Sequence, residues 1–151
     1  MNALDFIGYL DSYCRENDIL FAPNEGAYQN ITADHISFTP DKLILCSDLS
    51  LSPVFGTQGN VESVTYTGFI SLGRKREENT ESNLDESFMI KYNARLLDLV
   101  RILMAFFEKL SCEEDVSIDS CNISYVINEF DLNADFVQAN ISLSVNYFEE
   151  D

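Results

Sequence analysis

From Val137 to Tyr147 apolar and polar residues alternate without exception. Val137, Ala139, Ile141, Leu143, Val145 and Tyr147 fall on one face of an extended strand, and Gln138, Asn140, Ser142, Ser144 and Asn146 on the other. Successive side chains of a strand point to opposite faces, so this pattern reads as one buried face and one wet face. The wet face is amide and hydroxyl rather than charged, which suits contact with another protein and suits plain solvent equally well. With SIDSCNISYVINEFD before it and a turn at LNAD, the pattern predicts a C-terminal β-hairpin.

A second alternation lies in VESVTYTGFISL. Val64, Tyr66, Ile70 and Leu72 are set against Thr65, Thr67, Phe69 and Ser71, with Gly68 marking a bulge or a close backbone approach. ILFAP (19–23) and KLILCSDLSL (42–51) read as further strands, the second ending in a loop from Pro53 to Asn60. Two stretches have helical spacing instead. Leu4, Ile7 and Leu10, widened by Phe6, Tyr9 and Tyr13, predict a helix over Asn2–Arg15 with Asn2 as its N-cap. Met89, Tyr92, Leu96, Leu99, Leu103, Phe106 and Leu110 step by three and four. They predict a long second helix launched by Asn83 and Glu86 as a capping-box pair. Leu97, Val100, Ile102, Met104 and Phe107 make its apolar face wide, leaving Lys91, Arg95, Asp98, Arg101 and Glu108 a narrow polar stripe. Such a helix is expected to be covered on most sides, by a sheet and by the first helix or a neighbouring subunit.

The order of elements predicts an α+β two-layer sandwich: a mostly antiparallel sheet packed by the N-terminal helix and the long second helix, closing in the hairpin. At 151 residues this is a single domain spanning 1–151. Between Leu72 and Leu84 the segment GRKREENTESN has no apolar residue, so it reads as an exposed polar arm at about 73–83.

Charge sharpens the picture of that arm. The chain has 26 acids against 9 bases, a formal net charge of -17. Residues 110–151 hold ten acids and no base, and residues 1–73 hold nine acids against Arg15 and Lys42. A field of this sign repels phosphate backbones and excludes conventional nucleic-acid binding. Arg74, Lys75 and Arg76 therefore stand out as a basic cluster, which reads either as a contact patch or as a solvated offset to Glu77, Glu78 and Glu81.

Candidate chemistry is thin. His35 is the sole histidine, so no His–His metal pair exists, and its setting in ADHISF suits a structural role. No nucleophile elbow, Walker loop or dinucleotide loop occurs. Cys14, Cys46, Cys112 and Cys121 lack zinc or redox spacing and read as reduced thiols. Turn chemistry accounts for Asp131, Asn133 and Asp135. No apolar run approaches the roughly 20 residues of a membrane span, and MNALDFIGYLDSY has no signal-peptide pattern. The expectation is a soluble, non-secreted protein, not an enzyme, with no cofactor and no metal.

The α-β-β-β-α-β-β order with its polar connection, the helix YNARLLDLVRILMAFF, the acidic break after it and the hairpin INEFDLNADFVQANISLSVNYF resemble the tail-completion and tail-terminator proteins of tailed bacteriophages. The resemblance implies a structural virion protein that forms a ring at the head–tail joint or tail end, made in the host cytoplasm. Its implied partners are itself and neighbouring tail or connector proteins, with DNA passing but not specifically bound and no membrane contact. Ring contacts are heterologous. Arg74, Lys75 and Arg76 are then expected to donate to an acidic patch of Glu113, Glu114, Asp115, Glu149, Glu150 and Asp151. The alternative is an acidic DNA-mimic inhibitor, or a small adaptor for a basic protein.

Overall fold

The computed structural model describes residues 1–23, 42–75, 86–126 and 134–148, with the side chains of 75, 86–92, 126 and 134 outside that set. Its elements are α1 (Phe6–Glu16), β1 (Ile19–Ala22), β2 (Leu43–Phe55), β3 (Val61–Lys75), α2 (Glu86–Ser111), β4 (Val116–Val126) and β5 (Ala134–Asn146). The strands form one sheet in the order β1-β2-β3-β5-β4, with β1 parallel to β2 and every other pairing antiparallel. Both helices pack on one face. The two-layer α+β sandwich expected from the alternation patterns is the fold.

β5 occupies the middle of the antiparallel part, and Val137, Ala139, Ile141, Leu143 and Val145 are all buried. Val64, Tyr66, Ile70 and Leu72 of β3 extend the same surface, and Leu96, Leu99, Leu103, Phe106 and Leu110 of α2 cover it. Fully burying a side chain of this size is worth about 1.5–3 kcal/mol. Aromatic rings join the layers: Phe106 meets Tyr13 edge-on at 4.7 Å between centroids, and Phe6 meets Tyr66 at 5.1 Å. The Tyr66 hydroxyl donates to the Ala3 carbonyl at 2.5 Å inside this core, so the ring is buried with its polar tip satisfied.

Four local readings change. α1 begins at Phe6, because Asp5 rather than Asn2 caps it, accepting from the Gly8 amide at 3.0 Å. The buried stripe is accordingly Phe6, Leu10 and Cys14, while Leu4 is 57% exposed and Ile7 also faces outward. β2 does not stop at Leu51 but runs to Phe55, and a short turn over 56–60 reverses the chain. Pro53 is tolerated there because β1 covers only Leu43–Cys46, which leaves the rest of β2 as an edge. α2 is covered along one side only, since Leu97 is 37% and Met104 49% exposed. The Asn83 cap lies outside the described residues.

Both candidate meanings of Gly68 resolve into one. The β2–β3 register passes through Leu49↔Gly68 without a shift, so there is no bulge at this point. Gly68 has φ +142°, and a Cβ there would lie 2.0 Å from the Asp48 carbonyl oxygen. Neither the backbone angle nor the approach admits a side chain. Gly68→Ala is expected to destabilise the fold by roughly 3 kcal/mol or more, from strain plus displaced backbone. Urea denaturation of the variant beside the parent protein measures this, and a loss under about 1 kcal/mol would contradict it.

Candidate functional site

The arm begins later than its composition indicates. Gly73, Arg74 and Lys75 are strand residues, paired with Phe136, Asp135 and Ala134 of β5. Gly73 is buried because the Phe136 ring lies across it, 2.2 Å from where a Cβ would stand. Residues 76–83, with Arg76, lie outside the described residues, as do His35, Asp131, Asn133, Glu149, Glu150 and Asp151.

Arg74 is not a free donor. Its side chain is on the helix-facing side of β3, in phase with Ile70 and Leu72, and donates through Nη1 to Asp98 Oδ2 at 2.8 Å. Asp135 is its cross-strand neighbour, and Arg95 Nε donates to Asp135 Oδ2 at 2.8 Å. Arg95 and Asp98 are one turn apart on α2, so the four side chains alternate in sign: Asp98, Arg74, Asp135, Arg95. Asp135 is only 3% exposed and is a strand residue, not a turn residue. A buried carboxylate of this kind is tolerable only when paired. The cluster locks the open end of the sheet to α2.

The sequence held a signal for this cluster. Arg74 continues the buried phase of Ile70 and Leu72, and Asp135 continues that of Val137 and Ala139 backwards by one step. Two opposite charges on one buried face imply partners, and Arg95 and Asp98 are the polar residues of the facing helix.

The acidic patch is also partly engaged. Glu113 and Asp115 are half-buried in the α2–β4 connection and Glu114 is exposed. The Met1 amino group lies 3.6 Å from Asp115 Oδ2, while the Asp115 carbonyl accepts from the Asn146 amide at 2.8 Å. The structure therefore brings Arg74 to Asp98 rather than to residues 113–115.

The outer face of the sheet presents a different surface. Cross-strand register aligns its side chains in four rows: Ser52–Thr65–Ser144–Ser117, Ser50–Thr67–Ser142–Ser120, Asp48–Phe69–Asn140–Asn122 and Cys46–Ser71–Gln138–Ser124. Asp48 is the single charge among them, and none of these residues is buried. Thr65 and Ser144 hydroxyls are 3.3 Å apart, and Ser144 donates to Asp119 at 3.1 Å from the β4 bulge. Towards the cluster end the same face turns apolar and buried at Ile44 and Phe136.

All four thiols are unpaired. Burial pushes Cys14 and Cys46 up to about 12, while Cys112 and Cys121 are exposed. No helix among the described residues is long and apolar enough to cross a membrane. No protein-family model matches the chain, and no curated protein or solved structure matches it significantly.

The two ion pairs are expected to differ sharply. Arg95→Met takes a guanidinium from the buried Asp135 carboxylate and is expected to cost about 3 kcal/mol, whereas Arg74→Met releases the half-exposed Asp98 for under about 1 kcal/mol. Adding Asp135→Leu to Arg95→Met is expected to recover most of the loss, and urea midpoints of the variants read all three. A separate prediction concerns alkali. Cys14 and Cys46 are raised from an ordinary 9.0 to about 12 in the folded chain, so the unfolded chain releases those protons first. Their contribution is whole below pH 9 and is lost as pH rises towards 12. Urea midpoints are expected to fall above pH 9, less steeply in Cys14→Ala.

Proposed function

We propose that the chain is a non-catalytic assembly subunit acting through protein–protein contact, in the manner of the ring-forming tail-terminator and tail-completion proteins. The outer face of the sheet, whose only acids among the described residues are Asp48 and the bulge residue Asp119, carries this reading. A chain of net charge -17 keeps its charge, Asp48 excepted, out of four registered rows made of hydroxyl and amide groups with Phe69 and Cys46 among them. Neutral polar groups cost far less to desolvate than ions, and they re-form hydrogen bonds across a contact. Among the described residues both helices lie on the opposite side, and none of the side chains in the four rows is buried, which leaves them accessible to a neighbour.

The order of the described elements, α1-β1-β2-β3-α2-β4-β5, adds support, being the order on which the resemblance to tail-joint proteins rests. In that setting the partners are further copies of the chain and the adjoining tail or connector proteins, within the virion. The acidic remainder of the surface would repel passing DNA rather than hold it. Arg74 plays no part in the proposal as a donor, since it is engaged by Asp98, and the Lys75 side chain and Arg76 lie outside the described residues. The DNA-mimic reading has less support: Asp115 is paired within the chain, and the broad sheet face offers almost no phosphate-like charge.

Light scattering across concentration and salt tests the proposal. The expected result is a discrete closed oligomer larger than a dimer, strengthened by added salt, because salt screens the repulsion between like-charged chains while an uncharged contact has nothing to lose. A monomer at every concentration and salt would overturn self-assembly.

A further inference from the structure

An antiparallel sheet that does not close leaves two edges with unpaired backbone groups. One edge is β4. Residues 117, 119–122, 124 and 125 along it are exposed, and Asp119 is the strand's single charge. Among the described residues the other edge is β2 beyond Cys46, where β1 has ended and residues 50–55 are exposed, with Asp48 as the strand's single charge. Neither edge carries a lysine; Pro53 and the irregularity at Val54/Phe55 interrupt β2 and the bulge at Asp119 interrupts β4, which leaves 47–52 and 120–125 as the regular stretches able to pair.

The two edges match in direction and in side-chain phase. β2, β3, β5 and β4 alternate in direction, so β4 runs opposite to β2. A second copy related by simple rotation therefore sets its β2 antiparallel to β4, with the helix-bearing faces on the same side. On that side, beside β4, lies a shallow, mostly apolar groove of about 240 Å³ lined by Met104, Phe107, Cys121 and Ile123, with Glu108 and Ser111 at its wall. On the same side of β2 stands Leu51, 45% exposed and in phase with Tyr66.

We propose that copies of this chain join head to tail, the β2 edge of one adding to the β4 edge of the next, with Leu51 entering the Met104–Ile123 groove. The occupant of the groove is thus a second copy of the chain. Near-neutral edges let strongly acidic chains meet without opposing their acids, and an apolar side chain meets an apolar groove. Because the two patches differ, the contact is heterologous and propagates until it closes. This rests on the assembly reading above and adds a second contact, along the sheet edges beside its outer face.

Complementation of edge-blocked variants tests it. A β4-blocked chain carries Ser120→Glu, Asn122→Glu and Ser124→Glu, and a β2-blocked chain carries Ser50→Glu and Ser52→Glu, all at exposed positions. Each alone is expected to stay monomeric with unchanged circular dichroism, and an equal mixture to form a one-to-one complex and nothing larger. If the wild-type chain assembles and the β4-blocked chain keeps the same mass, the edge contact is overturned while the assembly reading stands. A β2-blocked chain that dimerises alone would overturn it in favour of two-fold β4–β4 pairing. A wild-type monomer overturns both. As a second readout, Leu51→Cys in a Cys112→Ser background is expected to give linked chains with a short bis-maleimide. Linkage that persists after Cys121→Ser, or never appears, would count against the contact.

Discussion

The alternation along β5 is the constraint on which the rest of the structure depends. Five apolar side chains on one face of a central strand have to be taken out of water, and a strand cannot do this alone. β3 and β4 flank it and widen the apolar surface, and α2 lies across all three strands. α1 then completes the cover through Phe6, Leu10 and Cys14. The Phe106–Tyr13 and Phe6–Tyr66 contacts are where the two helices and the sheet become one core rather than three surfaces.

Once that face is buried, the placement of charge follows. Among the described residues the acids are excluded from the core, with one exception that the structure neutralises: Asp135 sits under α2, paired with Arg95. Arg74 and Asp98 complete an alternating cluster at the same end of the sheet. A chain with 26 acids and 9 bases thus places two of its few bases where they hold a helix to a sheet. Those two are not available to a partner.

The remaining surface divides in a way that bears on function. The connections and chain ends carry acid, while the outer sheet face and both sheet edges are nearly neutral. Repulsion between copies keeps random contacts weak, and neutral strips mark where two copies approach at least cost. Uncovered edges are a liability in a protein that works alone. In a subunit they are the natural place for directional contact, since backbone hydrogen bonds supply affinity and side-chain phase supplies register.

Much of this was legible in the residues. The buried and wet faces of β5, the extended β3 and the long α2 were all set by periodicity, because a face buried along its whole length leaves a period that no neighbour can mask. Boundaries were less legible: Asp5 outcompeted Asn2 as a cap, and β2 ran through Pro53 because its outer edge had no partner to lose. The charge cluster was less legible, since Arg74 opens a run of polar residues that looks like arm and Asp135 closes LNAD, which looks like a turn. Their burial depends on pairing with each other's strand and with α2, contacts separated by 24 and 40 residues in the chain. The sequence by itself determined which side chains share a face. Only the tertiary structure decided which faces and edges remain open, because that depends on the order in which distant strands pair.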